Sequence, residues 1–222
     1  MKLLERDNCF LIKDFFDDKI IAGFSKPVFS GNVEEDLPLI LKELTKDFQI
    51  AFLHQIHSPI VHKINKPGRY EGDGLMTKKS GLVCVVRTAD CLPVFLASKE
   101  QGTIGIVHMG WRGAKEGILD NINEDLSAFK ALAGVGLRQC CYEVGKDFLT
   151  YNGFTEFLKE RSGKFYFAPA GFAKKKLIAY GLKDDNFCDL DICSLCSDKD
   201  LFSYRRNATE KRTLSFILRQ ED

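Results

Sequence analysis

GLVCVVRTADCLPVFLASKEQGTIGIVHMGWRG, residues 81–113, carries three short apolar runs one after another. They are GLVCVVRT (81–88), LPVFLA (92–97) and TIGIVH (103–108). Each is too short for an ordinary helix and rich in the β-branched and aromatic residues that suit a pleated surface. Three successive buried strands are the expectation. Each run stops at polar or turn-forming residues. The first gives way to Asp90-Cys91. The last ends in His108, followed by two glycines that bracket Arg112 and the only tryptophan, Trp111. Sites are commonly built where a rigid strand meets a free loop.

Working outward, further strands are expected at 9–16, 20–24, 49–53, 60–64, 187–193 and 213–219. The segments 26–32 and 65–75 read as loops, the second because of Gly68, Gly72 and Gly74. In 34–48 the apolar residues Leu37, Ile40, Leu41, Leu44 and Phe48 recur at helical spacing behind an acidic first turn. A second helix is expected from Ala114, with Ile118, Leu119, Ile122, Leu126 and Phe129 on one face. Others are expected at 146–160 and 171–180, the latter with Lys174–Lys176 on its wet side. Residues 137–144 are open between strand and loop. No repeat or linker interrupts the pattern, which predicts one α+β domain over residues 1–222 with strands outnumbering helices.

Composition narrows the class. The chain has 222 residues, 45% hydrophobic and 28% charged, with net charge +1. That balance lacks the basic field of a nucleic-acid binder. No apolar run approaches the roughly 18 residues of a membrane span. Acidic residues interrupt the N-terminus where a secretory signal needs an apolar stretch, so a cytoplasmic protein is expected. The eight cysteines therefore read as free thiols, metal ligands or nucleophiles rather than a disulfide framework. Cys193-Ser-Leu-Cys196 is a C-x-x-C, with Cys188 nearby. A second C-x-x-C is absent, and the adjacent Cys140–Cys141 pair reads as packing.

The strand ends carry the candidate site. AFLHQIH ends in His54 and His57, VCVVRTADC in Asp90 and Cys91, and TIGIVH in His108. If these ends share one side of a sheet, His57, Cys91 and His108 converge. Two imidazoles and a thiolate suit zinc, and suit copper as well; three protein ligands leave a fourth position open, the pattern of catalytic sites. Each residue taken alone also fits simple packing. Asp73, between two glycines, fits a turn or a site. Arg112 offers a planar fork to an anion. Arg205 and Arg206 offer an anion patch, and Glu143 reads as a half-buried carboxylate.

The segments HQIHSPIV, EGDGLMT, TADCLPVFL, VHMGWRG, CCYEVG and LFSYRR occur in this order across nearly the whole chain. In this it resembles the YfiH-like, or laccase-domain, family, once labelled multicopper polyphenol oxidases. The resemblance implies a four-layer α/β/β/α sandwich with two mixed β-sheets. It implies that His57, Cys91 and His108 hold a metal, zinc or copper. It also implies phosphorolysis of purine nucleosides (adenosine, inosine, guanosine, methylthioadenosine), with adenosine deamination beside it. The sequence departs from the family pattern at Ser25-Lys26, at CSLC, and at EKR, where only Arg212 is kept.

Phosphorolysis would need cations for phosphate, for which Arg112, Lys26 and Arg205 are candidates. Deamination would need a metal-activated water and a proton carrier, for which His54, Asp73 and Glu143 are candidates. The catalytic set expected is thus His57, Cys91, His108, Arg112 and Asp73, with His54, Lys26, Glu143 and Arg205 binding substrate. The expected partners are a purine nucleoside and phosphate, with neither nucleic acid nor membrane, taken up by a monomer. A copper-dependent polyphenol oxidase is the first alternative, but the chain has only four histidines, too few for a full laccase copper set. The others are a Cys91–His108 hydrolase acting on peptidoglycan precursors, and a binding module without turnover.

Overall fold

The computed structural model describes residues 1–221. In chain order the first strands are β1 (Lys2–Glu5), β2 (Cys9–Lys13) and β3 (Ile20–Ser25), followed by helix α1 (Val33–Leu41). Then come β4 (Gln49–His54), β5 (Val61–Ile64), β6 (Gly68–Glu71), β7 (Gly74–Thr77), β8 (Leu82–Thr88), β9 (Leu92–Ser98) and β10 (Thr103–Met109). The short helix α2 (Trp111–Lys115) precedes β11 (Lys130–Ala133), β12 (Glu143–Val144), β13 (Leu158–Arg161) and β14 (Lys164–Phe167). The chain closes with α3 (Pro169–Ala179), β15 (Phe187–Asp189), α4 (Tyr204–Asn207) and β16 (Thr213–Arg219). No helix among the described residues is long and apolar enough to cross a membrane.

Two large sheets form. One has seven strands in the order β1-β2-β3-β16-β8-β4-β6, the other six in the order β15-β11-β9-β10-β7-β5. Both are mixed. β4 runs parallel to β6 and β8 in the first sheet, and β5–β7 and β11–β15 are parallel in the second, while the remaining pairs are antiparallel. A small antiparallel sheet, β12-β14-β13, stands apart.

Strand alternation builds the layers. In β8, Leu82, Cys84 and Val86 enter a core shared with Phe95, Ile104 and Ile106 of the other sheet. The intervening Val83 and Val85 turn the opposite way and pack under Leu37, Ile40 and Leu41 of α1. In β9 and β10, Val94, Leu96, Val107 and Met109 face outward onto Phe172, Ala173 and Leu177 of α3 and onto Ile118 and Ile122. Each large sheet is thus covered on both faces, so its central strands read as continuous apolar runs rather than alternating ones. The result is the α/β/β/α sandwich.

Several local expectations give way. α1 begins as expected, with the Asn32 side chain accepting from the Glu34 N–H, but it ends at Leu41 instead of Phe48. The helix expected from Ala114 to Phe129 is only one turn long. Gly117 adopts φ +85°, and the chain continues in turns to a 3-10 segment at Leu126–Ala128. Its apolar residues are still buried: the spacing marked burial correctly and helix wrongly. Residues 146–160 likewise form two 3-10 turns and then β13. Gly153, at φ +77°, lies between those turns. The expected loop at 65–75 contains β6 and the start of β7, held by pairing to β4 and β10.

Candidate metal centre

The three candidate ligands lie at or just beyond the ends of β4, β8 and β10. Cys91 lies in the short crossover that leaves β8 in one sheet and enters β9 in the other. His57 follows β4, and His108 lies at the end of β10. One ligand atom from each comes within 4.8 Å of the other two. The Cys91 sulfur is 4.0 Å from His57 Nε2, and the two imidazole rings are 5.0 Å apart at 75°. His108 is buried, Cys91 half-buried and His57 exposed, so the cluster opens to solvent on one side.

Asp73 organises this cluster from behind. It is fully buried. One carboxylate oxygen accepts from His108 Nδ1 at 2.7 Å and from the His57 N–H at 3.1 Å. The other accepts from the Ile56 N–H, the Ser58 N–H at 2.7 Å and the Ser58 hydroxyl at 2.9 Å. These bonds hold His57 in a left-handed backbone conformation, φ 59°, costly for a non-glycine residue and stable only when over-determined. The contact with Asp73 fixes the proton of His108 on Nδ1 and leaves Nε2 as the donor, the arrangement common to metal-bound histidines. Asp73 does not reach the cleft, which corrects its expected catalytic place to one that positions two other residues.

Two further details fit a cation. A Cβ on Gly110 would meet His57 Cδ2 at 2.9 Å and the Cys91 sulfur at 3.3 Å, so only glycine lets the backbone pass this close to both. Burial pushes the Cys91 thiol up, yet His108 and His57 overcome that and bring it down to about 6. Burial works against a charged His108, but Cys91 and Asp73 raise it to about 9. Asp73 itself, despite burial, is pulled down to about 2 by His108 and Ser58. The thiolate is therefore ready at neutral pH, and a metal binding here would displace the proton of His108. Two imidazoles and a thiolate at these separations fit zinc, whose ligand bonds are about 2.0–2.3 Å.

The cluster forms the floor of a cleft of about 890 Å³. Its walls carry Arg69, Arg87, Arg112, Arg205 and Arg212. Among the described residues none of these five pairs with a carboxylate side chain. Burial and the neighbouring Arg212 and Arg69 all press against the charge of Arg87, a strain that an anion would relieve. The Gln55 side chain bonds both the N–H and the C=O of Arg87 at 2.8 Å, fastening the His54–His57 loop onto the end of β8. Trp111, Tyr142 and Tyr204 supply aromatic surface.

Of the residues expected at the site, His54, Arg112 and Arg205 line this cleft. His54 also bonds Arg69. Lys26 does not reach it: its ammonium pairs with Glu5 at 2.7 Å and lies over the Phe10 ring. Glu143 pairs with Lys164 at 2.9 Å outside the cleft. Arg206 is spent on the carbonyls of Ser194 and Leu195. Arg69 and Arg87 were missed. Arg87 left one signal, as the single charged residue in the otherwise apolar LVCVVRT.

Comparison with known proteins identifies the family. Residues 29–220 match the family described as multi-copper polyphenol oxidoreductase laccase. A purine nucleoside phosphorylase of Aquifex aeolicus is 40% identical over 156 residues, covering 67% of this chain and 71% of its own. One from Clostridium acetobutylicum is 32% identical over 231 residues, covering 93% and 95%. The fold matches the YlmD structure from Geobacillus stearothermophilus with a TM-score of 0.86 at 20% identity, over 98% of both chains. It matches a hypothetical protein, YfiH, of Bacillus licheniformis with a TM-score of 0.84 at 21% identity, over 96% and 97%. The match over residues 29–220, with these relatives, shows that the chain belongs to the multi-copper polyphenol oxidoreductase laccase family.

Proposed function

We propose that this protein is a purine nucleoside phosphorylase whose His57, Cys91 and His108 hold one zinc ion. The observation that carries the reading is the union of that cluster, in one cleft, with five arginines that have no carboxylate partner among the described residues. The naming of its relatives supports it. When bound, the ion supplies a fixed positive charge at the floor of the cleft.

The chain's own residues do the rest. Arg87 and Arg69 bind phosphate through charge-assisted hydrogen bonds, Arg212, one terminal nitrogen of which is held by the Thr209 and Lys211 carbonyls, adds its charge, and Arg112 and Arg205 guard the approach. Tyr204, the exposed aromatic residue of the cleft, offers a flat face to a purine. Phosphate oxygen attacks C1′ of the ribose. The C1′–N9 bond breaks, its electron pair leaves with the base, and ribose 1-phosphate forms. A base held by hydrogen bonds leaves more easily, and His54, which lines the cleft, offers a ring nitrogen for that task. The family match over residues 29–220 supports a single domain.

Deamination of adenosine is the weaker activity on this reading. Of its expected proton carriers, Asp73 is buried behind the ligands and Glu143 is outside, which leaves His54. Asp90 lines the cleft, but its oxygens are occupied by the Ser194 hydroxyl and the Arg205 N–H, both at 2.7 Å. Copper-dependent phenol oxidation has the family's name behind it, and the donor set suits copper too, but four histidines are too few for a full laccase copper set. The test is chromatography of purified protein with adenosine, with and without phosphate. Adenine formed only with phosphate supports the reading; inosine formed regardless of phosphate replaces it with deamination.

A further inference from the structure

A second cluster of thiols lies beside the cleft and takes no part in the reaction proposed above. Cys140 and Cys141 sit in a turn closed by the Cys141 and Tyr142 amides on the Arg138 carbonyl, at 2.9 and 2.8 Å. Cys193 and Cys196 come from the C-x-x-C of a distant segment, brought alongside by a bridge between Gly136 and Cys193. The four sulfurs all lie within 4.8 Å of one another, and those of Cys140 and Cys196 are 3.6 Å apart. All four cysteines are free.

A tetrahedral zinc with four sulfurs at about 2.3 Å sets those sulfurs roughly 3.8 Å apart. The 3.6 Å between Cys140 and Cys196 and the 4.8 Å limit on the whole set accommodate that value. Cys188, the other cysteine near the C-x-x-C in sequence, is not in the cluster; its sulfur lies 3.5 Å from that of Met1. The pair read from sequence as packing is therefore the missing half of a four-thiol set.

We infer that Cys140, Cys141, Cys193 and Cys196 form a closed tetrathiolate site for one structural zinc ion. The ion ties the 137–142 turn to the 193–206 segment, which are otherwise joined by few bonds. Both segments serve the cleft. Leu137 and Tyr142 line it from the first, and Arg205 from the second. Ser194, next to Cys193, holds Asp90, whose other oxygen accepts from the Arg205 N–H, and Asp90 directly precedes Cys91. Four protein ligands leave no open position, so the role is to fix this wall rather than to react.

Metal analysis of purified full-length variants tests this. His57→Ala/Cys91→Ala/His108→Ala is expected to retain one zinc per chain, and Cys193→Ser/Cys196→Ser in that background to retain none. Zinc absent from the triple variant, or still present after both serine substitutions, would overturn the site. A thiol titration of the triple variant guards against misfolding of the serine form. Chelation should release one zinc and open four more thiols to alkylation. An unchanged thiol count, or disulfides among these four, overturns the inference. Failure of the His57–Cys91–His108 reading has a different signature: wild-type protein would carry no more zinc than the triple variant.

Discussion

The Asp73 carboxylate joins His108 and His57 through a single oxygen, accepting from the imidazole of one at 2.7 Å and from the backbone N–H of the other at 3.1 Å. One buried group thus sets the tautomer of one proposed ligand and the backbone of a second. Asp73→Asn is expected to lower metal affinity and turnover by about 10–100-fold, the usual cost of losing such a partner. Zinc content against free-zinc concentration, together with kcat, reads the effect. Unchanged affinity would mean that the two histidines are held by something else.

Gly110 sets a steric condition on the same cluster. Gly110→Ala puts a methyl 2.9 Å from His57 and 3.3 Å from Cys91, so one ligand must move. The expected outcome is loss of zinc from the triad and of most activity, with circular dichroism and melting close to wild type. Full activity in this variant would show that these two side chains need not hold their present places.

Arg87 carries the phosphate prediction. A charge-assisted hydrogen bond is worth about 1.5–3 kcal/mol, so Arg87→Ala is expected to raise the KM for phosphate by roughly 10–100-fold. The KM for nucleoside should change much less. Steady-state kinetics with each substrate varied separates the two. An equal rise in both constants would place Arg87 in general positioning instead of phosphate binding.

The layered core makes a prediction about stability alone. Phe216 of β16 is fully buried under α1, so Phe216→Ala should cost about 3–5 kcal/mol. Urea unfolding measures it. Because Phe216 itself does not line the cleft, the KM values of the surviving folded protein should change far less than its stability.

What could be read from the residues follows physical lines. β8, β9, β10 and β16 were legible because strands buried on both faces stay apolar throughout. His57, Cys91 and His108 were legible because strand ends converge when neighbouring strands pair. The helix from Ala114 was misread because spacing reports burial, while Gly117 and its left-handed backbone stop the helix. Arg69 and Arg87 escaped notice because the parallel pairing of β4 with β6 and β8 brings them together, and register is set by tertiary packing. Lys26 and Glu143 have the right charge for a site, yet they find partners in Glu5 and Lys164 on the surface. Cys140–Cys141 looked like packing because only the folded turn reveals the C-x-x-C opposite.

The most direct measurement is product analysis of adenosine incubated with wild-type protein and with Cys91→Ala, each with and without phosphate. The account predicts adenine and ribose 1-phosphate in equal amounts from wild type, only when phosphate is present. It predicts at least about 100-fold less from the variant, as expected when a metal ligand itself is lost rather than its supporting partner. Inosine in place of adenine, free ribose without need of phosphate, or undiminished turnover by Cys91→Ala would contradict it.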